Sequence, residues 1–431
     1  MATEYFKAGA RITEHALRNG LQVLVVERHD APTVTTLLYY RVGARNERSQ
    51  EAGVSHFLEH MMFKGTQRYG KGHVDLVTTC SGGSNNAWTS YDHTAYWFEF
   101  AADRWEQALE LEADRMKGLL LDQDEYEAEK AVVLEEMSMT EDDPWRELSK
   151  EVGEALFLGH PYGRPVIGYS DTLKALGPAD MRAYFERYYR PDNAVLVVCG
   201  NVTPSGAMKL VRKHFGSIEA PKTPAGDLGF RRAPTEPGSE KRLVCRWDDG
   251  AKRLCMAWPT VPVGTDEDYA LDLISVVLAT GRGSRLYQRI VKEEGLGMSV
   301  SISNDTRIEG GVLWLMSECA GATTPEQLEA AIEEEIERIA TELVPAKELK
   351  RARAMLHAAA AHDSETVTDL AEDIGSYAVD ADWRLALDSD ERLAAIKPSF
   401  LRATARKLLG RSRRVTGWSL PHEESNAAVS K

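Results

Sequence analysis

Cysteine is scarce in this chain, and its spacing is irregular. The 431 residues contain five cysteines, and no two of them form a C-x-x-C pair. A disulfide framework and a cysteine zinc site both need paired or closely spaced thiols. The sequence therefore argues against both, and we expect buried thiols at Cys80, Cys199, Cys245, Cys255 and Cys319.

Long apolar runs and an excess of positive charge are also missing. Apolar runs such as residues 194–199 are far shorter than the roughly 18 residues that a membrane-spanning helix needs. The 52 Lys and Arg residues against 67 Asp and Glu residues give a net charge of −15. We therefore expect no membrane span and no general binding of nucleic acid. An acidic surface suits basic peptides, but it also serves solubility alone.

Glycine and proline are too few for a fibrous or disordered chain. The sequence has 33 Gly and 17 Pro among 43% hydrophobic residues, which is typical of a globular protein. At about 100–200 residues per domain, the length predicts two to four domains. The first residues lack a basic start followed by an apolar stretch. We therefore expect a cytoplasmic protein, or a periplasmic one if a signal peptide has been removed.

Segments rich in β-branched and aromatic residues alternate with helical patterns in the first half of the chain. The first two predicted strands, 21–27 and 34–42, are expected to form a hairpin. The other elements predicted in this half are helices at 53–63, 104–121, 124–140 and 181–188 and strands at 93–100 and 194–199.

The order of strands and helices recurs in the second half of the chain. Strands are predicted at 241–247, 253–258, 299–303 and 312–319, and helices at 266–279, 284–294, 325–343 and 346–361. This recurrence, after about 230 residues, predicts a duplicated α+β domain. We therefore expect two homologous domains in tandem, residues 1–218 and 241–431, joined by a Pro- and Gly-rich linker at 219–240.

The strongest signal in the chain is the motif His56-Phe57-Leu58-Glu59-His60. On a helix, His56 and His60 lie four residues apart, so both imidazoles share a face and can reach one metal ion. Glu59 lies on nearly the same face, within reach of a water on that metal. This H-x-x-E-H order is the reverse of the zincin motif and keeps the same roles. The alternative interpretation is a solvated helix face with two incidental histidines. Chance would produce this motif only roughly 0.02 times in a chain of this length and composition, so the alternative is disfavoured.

A zinc site needs a third protein ligand, and the acidic helical segment 125–139 offers one. Glu129 and Glu136 are seven residues apart and share a helix face, whereas Glu135 points about 100° away from Glu136. We predict Glu136 as the third ligand and Glu129 as a carboxylate that orients a ligand. On these residues alone, an exposed acidic helix face is an equally good interpretation.

Other short motifs follow one another in order around this helix. They are Asn19-Gly20-Leu21, Gly43-Ala44-Arg45-Asn46-Glu47, Met61-Met62-Phe63-Lys64-Gly65-Thr66, Asn86-Ala87-Trp88-Thr89, Val132-Val133-Leu134-Glu135-Glu136-Met137, His160-Pro161-Tyr162-Gly163 and Tyr189-Arg190-Pro191-Asp192-Asn193-Ala194. With them, nearly the whole chain resembles the inverzincin family of pitrilysin, insulin-degrading enzyme and mitochondrial processing peptidase. It resembles in particular the catalytic, beta-like subunit of the two-domain bacterial members. The resemblance implies two α/β-roll domains, each an antiparallel-rich sheet flanked by helices, facing each other across a cleft.

The resemblance also implies a function, that of a zinc endopeptidase acting on peptides or small unfolded proteins. One Zn²⁺ per chain would be held by His56, His60 and Glu136. Glu59 would take a proton from the attacking water and return it to the leaving amine, with Glu129 as an auxiliary catalytic residue. The family's substrate-binding edge corresponds to Asn86, Ala87, Trp88 and Thr89, where an extended peptide adds as a strand.

The chain departs from the family in its second half. Active relatives carry there an Arg and a Tyr that bind the substrate carbonyl, and the corresponding residues are Val291 and Met298, which cannot donate such hydrogen bonds. Arg289 lies two residues out of register. Either the chain is weak or inactive alone, or a homologous partner subunit supplies the pair. We favour the heterodimer, with a non-catalytic structural subunit of the same fold as the alternative function.

Overall fold

The computed structural model describes residues 4–219 and 233–422, so most of the predicted linker, residues 220–232, lies outside the described residues. The strands, in chain order, are β1 Glu4–Lys7, β2 Ala10–Ala16, β3 Gln22–Glu27, β4 Thr33–Tyr40, β5 Ser84–Thr89, β6 Thr94–Ala101, β7 Ala194–Gly200, β8 Lys241–Trp247, β9 Arg253–Pro259, β10 Gly297–Asp305, β11 Val312–Cys319 and β12 Val415–Pro421. The α-helices are α1 Val54–Met61, α2 His73–Cys80, α3 Glu106–Gly118, α4 Gln123–Glu141, α5 Pro144–Leu156, α6 Ser170–Ala175, α7 Pro178–Tyr188, α8 Pro204–Phe215, α9 Asp266–Ala279, α10 Pro325–Thr341, α11 Ala346–His362, α12 Val367–Asp380, α13 Leu385–Ala395 and α14 Pro398–Leu408.

These elements form two compact units whose segments are interleaved along the chain. The first unit comprises residues 4–137, 164–219 and 357–390, and the second comprises 138–163, 233–356 and 391–422. The division differs from the contiguous domains 1–218 and 241–431 that the sequence predicted. The reason is packing, because α5 lies on the sheet of the second unit and α12 on the sheet of the first. Homology between the two predicted domains stays a prediction.

The first unit is built on a seven-stranded sheet with the order β1-β2-β3-β7-β4-β6-β5. The prediction of a hairpin between the strands at 21–27 and 34–42, which are β3 and β4, is wrong. Strand β7 lies between them and runs parallel to β3. Every residue of β7 is buried, as expected of a central strand covered on both faces. The hairpin partner of β3 is instead β2, which the sequence reasoning missed.

Helices cover both faces of this sheet. On one face, a large apolar cluster joins the strands to α1, α3, α4, α7 and α8. On the other face, a second cluster joins them to α12. Gly375 permits the close approach of α12, since a Cβ atom there would overlap the ring of Tyr39 on β4. Because side chains alternate between the faces of a strand, the buried apolar residues of the strands divide between the two clusters.

The second unit has a five-stranded sheet with the order β10-β11-β9-β12-β8. Helices α9, α10 and α14 share one apolar cluster with this sheet, and α5 lies against β9 and β12. The α+β class, with two sheets that are each flanked by helices, is therefore confirmed.

A group of three carboxylates in the second unit, Glu240, Glu329 and Glu333, is close enough to hold a metal ion. Its charge is already balanced, because Arg411 and Arg414 each donate to Glu240 at 2.9 Å and Arg414 also pairs with Glu333. Arg242 donates to both oxygens of Glu329, at 2.6 and 2.7 Å. Burial raises the pKa of Glu240, but these arginines outweigh it and hold the pKa at about 2. We therefore interpret this group as a structural ion-pair network.

All five cysteines are unpaired. The prediction of buried thiols is right for Cys199, Cys255 and Cys319 and wrong for Cys80, which is exposed, while Cys245 is half-buried. Among the described residues, no helix combines the length and the apolar character needed to cross a membrane.

Candidate metal centre

The helix that carries the H-x-x-E-H motif is fixed at its N-terminus by a buried carboxylate. Glu47 accepts the backbone N–H of Gly53 at 2.9 Å and that of Ser55 at 2.8 Å. These are N–H groups that the first turn of a helix leaves without an internal partner, and a carboxylate there also suits the helix dipole. Burial raises the pKa of Glu47 to about 7, although the two backbone hydrogen bonds act in the opposite direction.

Helix α1 buries one side and presents the motif on the other. Its buried residues include Phe57, Leu58 and Met61, which belong to the core of the first unit. His56, Glu59 and His60 are only partly buried. The rings of His56 and His60 lie 4.8 Å apart between centroids, as expected for residues one helical turn apart.

Helix α4 brings Glu136 to this pair of histidines. Glu136 Oε1 lies 3.8 Å from His56 Nε2, and Glu136 Oε2 lies 3.5 Å from His60 Nε2. One ligand atom from each of these three residues lies within 4.8 Å of the others. The two helices are joined by a ring contact of 4.8 Å between Phe57 and the buried Tyr126. The structure therefore brings together the three residues predicted as metal ligands.

Glu129 lies behind the metal-ligand group, on the same helix as Glu136. Its Oε1 accepts from His60 Nδ1 at 2.9 Å, and its Oε2 forms an ion pair with Lys64. Burial raises the pKa of Glu129, but the hydrogen bonds from Lys64 and His60 outweigh burial and lower it overall. The sequence reasoning missed Lys64, although its position four residues after His60 was the available signal.

The protonation state of His56 suits metal binding. Burial and, to a smaller extent, the neighbouring His60 lower the pKa of His56 to about 4, although Glu136 opposes the shift. The imidazole is therefore neutral near pH 7, which is the form that coordinates metals. Its Nδ1 atom is buried and has no hydrogen-bond partner in the described part of the chain.

Two imidazoles and one carboxylate are a donor set of catalytic zinc sites, with the fourth position left for water. Tetrahedral zinc with bonds of about 2.0–2.1 Å places its donor atoms about 3.3 Å apart. The separations of 3.5 and 3.8 Å from His60 and His56 to the two oxygens of Glu136 are within about half an ångström of this value, and one donor atom from each of the three residues lies within 4.8 Å of the others. These residues fit a zinc ion.

Glu59, the candidate proton acceptor, is held by a residue of the neighbouring sheet edge. Thr89 Oγ1 donates to Glu59 Oε2 at 2.5 Å. Burial raises the pKa of Glu59 and Glu136 adds to the increase, whereas Thr89 and His60 oppose it. The sequence reasoning placed Thr89 only among the substrate-binding residues.

The four predicted substrate-binding residues all lie on β5. This strand pairs with β6 on one side, and no other strand of the described residues pairs with its other side, which forms an edge of the sheet. Ala87 and Thr89 are on the α1 face, while Asn86 and Trp88 are on the α12 face. An open edge of this kind can accept an extended peptide through backbone hydrogen bonds.

Val291 and Met298, the residues that the sequence analysis aligned with the family's Arg and Tyr, carry no side-chain donor for a substrate carbonyl. Val291 is half-buried in a π-helical turn, and Met298 is 65% exposed on β10. Arg289 donates to Glu294 at 2.9 Å and to Glu334 at 2.5 Å. The departure from the family pattern stays a prediction.

Comparison with known proteins places this architecture in a family. Residues 22–170 match the family described as insulinase (peptidase family M16), and residues 175–356 match the peptidase M16 inactive domain. A Bacillus subtilis protein named uncharacterized zinc protease YmxG is 30% identical over 342 residues, which cover 79% of this chain and 82% of the relative. The chain belongs to peptidase family M16.

Solved structures share the fold of this M16 chain. A protease from Helicobacter pylori has a TM-score of 0.91 at 24% identity, covering 98% of this chain and all of that one. The periplasmic protease PqqL from Escherichia coli has a TM-score of 0.78 at 19% identity, and the match covers 49% of its length. The M16 fold therefore also occurs in a chain about twice as long as this one.

The family matches divide the site residues between the two regions. The metal-ligand group, Glu59, Glu129 and strand β5 lie in the region that matches the insulinase description. Val291 and Met298 lie in the region that matches the inactive domain.

Proposed function

We propose that this M16 chain is a zinc-dependent endopeptidase that hydrolyses peptides or small unfolded proteins. The observation that carries the proposal is the convergence of His56, His60 and Glu136, with Glu59 beside them. The names of M16 relatives as zinc proteases support the same reaction class. Loss of any one of these four side chains would have favoured a structural protein instead.

His56, His60 and Glu136 would hold the metal. When bound, zinc would supply a Lewis acid that lowers the pKa of a water molecule to about 7 and polarises the scissile carbonyl. Glu59 would accept the proton of the attacking water as the new C–O bond forms. It would return this proton to the amine nitrogen as the C–N bond breaks. Glu129 would fix the ring of His60 through its 2.9 Å hydrogen bond.

The open edge of β5 would bind the substrate as an added strand. Backbone recognition of this kind selects extended peptides and depends little on their side chains. Folded proteins would be poor substrates because their strands are already paired. Peptides and unfolded segments are therefore the substrate class that we propose.

A preference for basic side chains follows from a cavity on the α12 face of β5. The cavity has a volume of about 430 Å³. Its walls include the aromatic rings of Tyr39 and Trp88 and the carboxylates of Asp363, Asp369, Glu372 and Asp373. Only Asp373 has a lysine partner, Lys7, among the described residues. Alternate side chains of a peptide paired with β5 would point to this face, where carboxylates and aromatic rings favour cations.

We propose further that the chain works with a homologous partner subunit. The absence of the Arg and Tyr pair at Val291 and Met298 supports a heterodimer in which the partner supplies these donors. The same absence favours the alternative function, a non-catalytic subunit that keeps the fold.

Metal analysis and a peptidase assay distinguish the two functions. We expect about one zinc per wild-type chain, lost in His60→Ala but retained in Glu135→Gln, an exposed residue of the same helix. Peptide cleavage by the complex purified from its native source should require zinc and Glu59. A chain that binds no zinc while folded would refute the enzyme. Full turnover by the purified chain alone would refute the heterodimer.

The basic preference has its own test. Two peptides that differ only by Arg or Gln at one position are compared at a fixed cleavage site. We expect a lower KM for the Arg peptide and a smaller difference in Glu372→Gln. Equal KM values for both peptides with the wild-type enzyme would show that the cavity does not select basic side chains.

A further inference from the structure

Strand β5 has two different roles on its two sides. Its outer edge pairs with no other strand in the part of the chain that the structure describes and, under the proposed function, takes the substrate. Its last residue, Thr89, pairs with Thr94 of β6 and directs its side chain to the α1 face, where the H-x-x-E-H helix lies. The strand that would bind the peptide thus also reaches the candidate proton acceptor.

The contact is a short hydrogen bond. Thr89 Oγ1 lies 2.5 Å from Glu59 Oε2, within the range of hydroxyl–carboxylate bonds that are strengthened by charge. Within residues 4–219 and 233–422, no other donor contacts the Glu59 carboxylate. Thr89 therefore supplies the hydrogen bond that orients the Glu59 carboxylate.

We infer that Thr89 is a positioning residue that orients the Glu59 carboxylate for proton transfer. The inference rests on the proposed peptidase function. That function uses only the backbone of Thr89, and the inference adds a role for its side chain. It also connects the substrate strand to the proton acceptor through a single residue. Binding of a peptide along β5 would rigidify the strand that carries this donor.

The chemistry explains why one hydrogen bond matters. The bond occupies Oε2 and leaves Oε1 to accept the proton of the attacking water. Without the bond, the carboxylate could turn about its last torsion, because this type of torsion is broad. Repulsion by the negative charge of the neighbouring Glu136 could then turn the Glu59 carboxylate out of the reactive orientation.

Isosteric variants separate this role from a structural one. Thr89→Val keeps the shape and the backbone of the strand but removes the hydroxyl. We expect kcat to fall about 10- to 100-fold, the range for loss of a hydrogen bond to a charged group, with KM and zinc content unchanged. Thr89→Ser keeps the donor and should restore kcat to within about threefold of wild type.

Thr36→Val is the matched control. Thr36 lies on β4 of the same sheet, and its buried hydroxyl has no hydrogen-bond partner among the described residues. The substitution should leave kcat as in wild type. If Thr89→Val also keeps wild-type kcat in an active preparation, the positioning role is refuted while the peptidase function stands. If the wild-type complex with zinc cleaves no peptide, the proposed function fails instead.

A crystal structure gives a readout that does not depend on turnover. We expect one position of the Glu59 carboxylate in the wild-type chain and in Thr89→Ser. In Thr89→Val we expect two or more positions, or a turned carboxylate. An unchanged Glu59 carboxylate in a folded Thr89→Val chain would overturn the inference even if no assay for cleavage were found.

Discussion

Substitution of Glu129 by glutamine should weaken zinc binding without removing a metal ligand. Glu129 accepts from two donors, His60 Nδ1 at 2.9 Å and the ammonium of Lys64, and its side chain is only 9% exposed. Glutamine has nearly the same size but only one acceptor oxygen. Its amide N–H groups would therefore face one of the two donors.

The magnitude follows from these contacts. A hydrogen bond to a charged group is worth about 1.5–3 kcal/mol, and loss of a partner that orients a ligand reduces metal affinity about 10- to 100-fold. A factor of ten corresponds to about 1.4 kcal/mol, so the two ranges agree. We expect the dissociation constant for zinc to rise by about 10- to 100-fold in Glu129→Gln.

Competition with a chromophoric chelator measures this dissociation constant on the purified chain. Glu135→Gln is the control because it changes the charge of the same helix by the same amount at an exposed residue. It should bind zinc as the wild type does. If Glu129→Gln stays within twofold of Glu135→Gln, the hydrogen bond to His60 does not support the metal site and the reasoning is wrong.

Three further predictions concern stability, each measured by urea unfolding. Gly375→Ala should lower the free energy of unfolding by about 1–3 kcal/mol through overlap with Tyr39, whereas Gly70→Ala, which meets no atom within 4 Å, should not. Glu240→Gln should destabilise the chain at pH 6 but progressively less as the pH falls from 4.5 towards 2. The sign follows because the pKa of Glu240 in the folded chain, about 2, lies below its ordinary value of 4.5, so its stabilisation is complete above 4.5 and is lost below. If Glu240→Gln lowers the free energy of unfolding by the same amount at pH 6 and at pH 3, this prediction is wrong. Zinc at 100 times its dissociation constant should stabilise the wild type by about 2.7 kcal/mol and His56→Ala not at all.

Much of the candidate site was predictable because it depends on spacing within helices. The four-residue separation of His56 and His60 places both rings on one face of α1, whatever the rest of the fold does. The same argument selected Glu136 over Glu135 on α4. The period of the α-helix was enough for the two histidines, whereas the choice of Glu136 as a ligand also depended on the family resemblance. The structure brings all three predicted ligands together.

The errors concern contacts between segments that are distant in the sequence. The apolar strand β7 was recognised, but its insertion between β3 and β4 was not, because alternation of side chains does not identify a strand's neighbours. The apolar residues of α12 show that this helix needs an apolar surface to cover. They do not show that the surface is the sheet of the first unit.

The sequence by itself determined the chemistry that this M16 chain offers: two histidines and two glutamates at helical spacing, and no Arg and Tyr pair in the second half. Only the tertiary structure decided which groups surround that chemistry. The bond from Thr89 to Glu59 joins residues 30 positions apart, and that from His60 to Glu129 joins residues 69 positions apart. Helical spacing is set by local backbone geometry, whereas such long-range partners are set by which apolar faces are buried against each other.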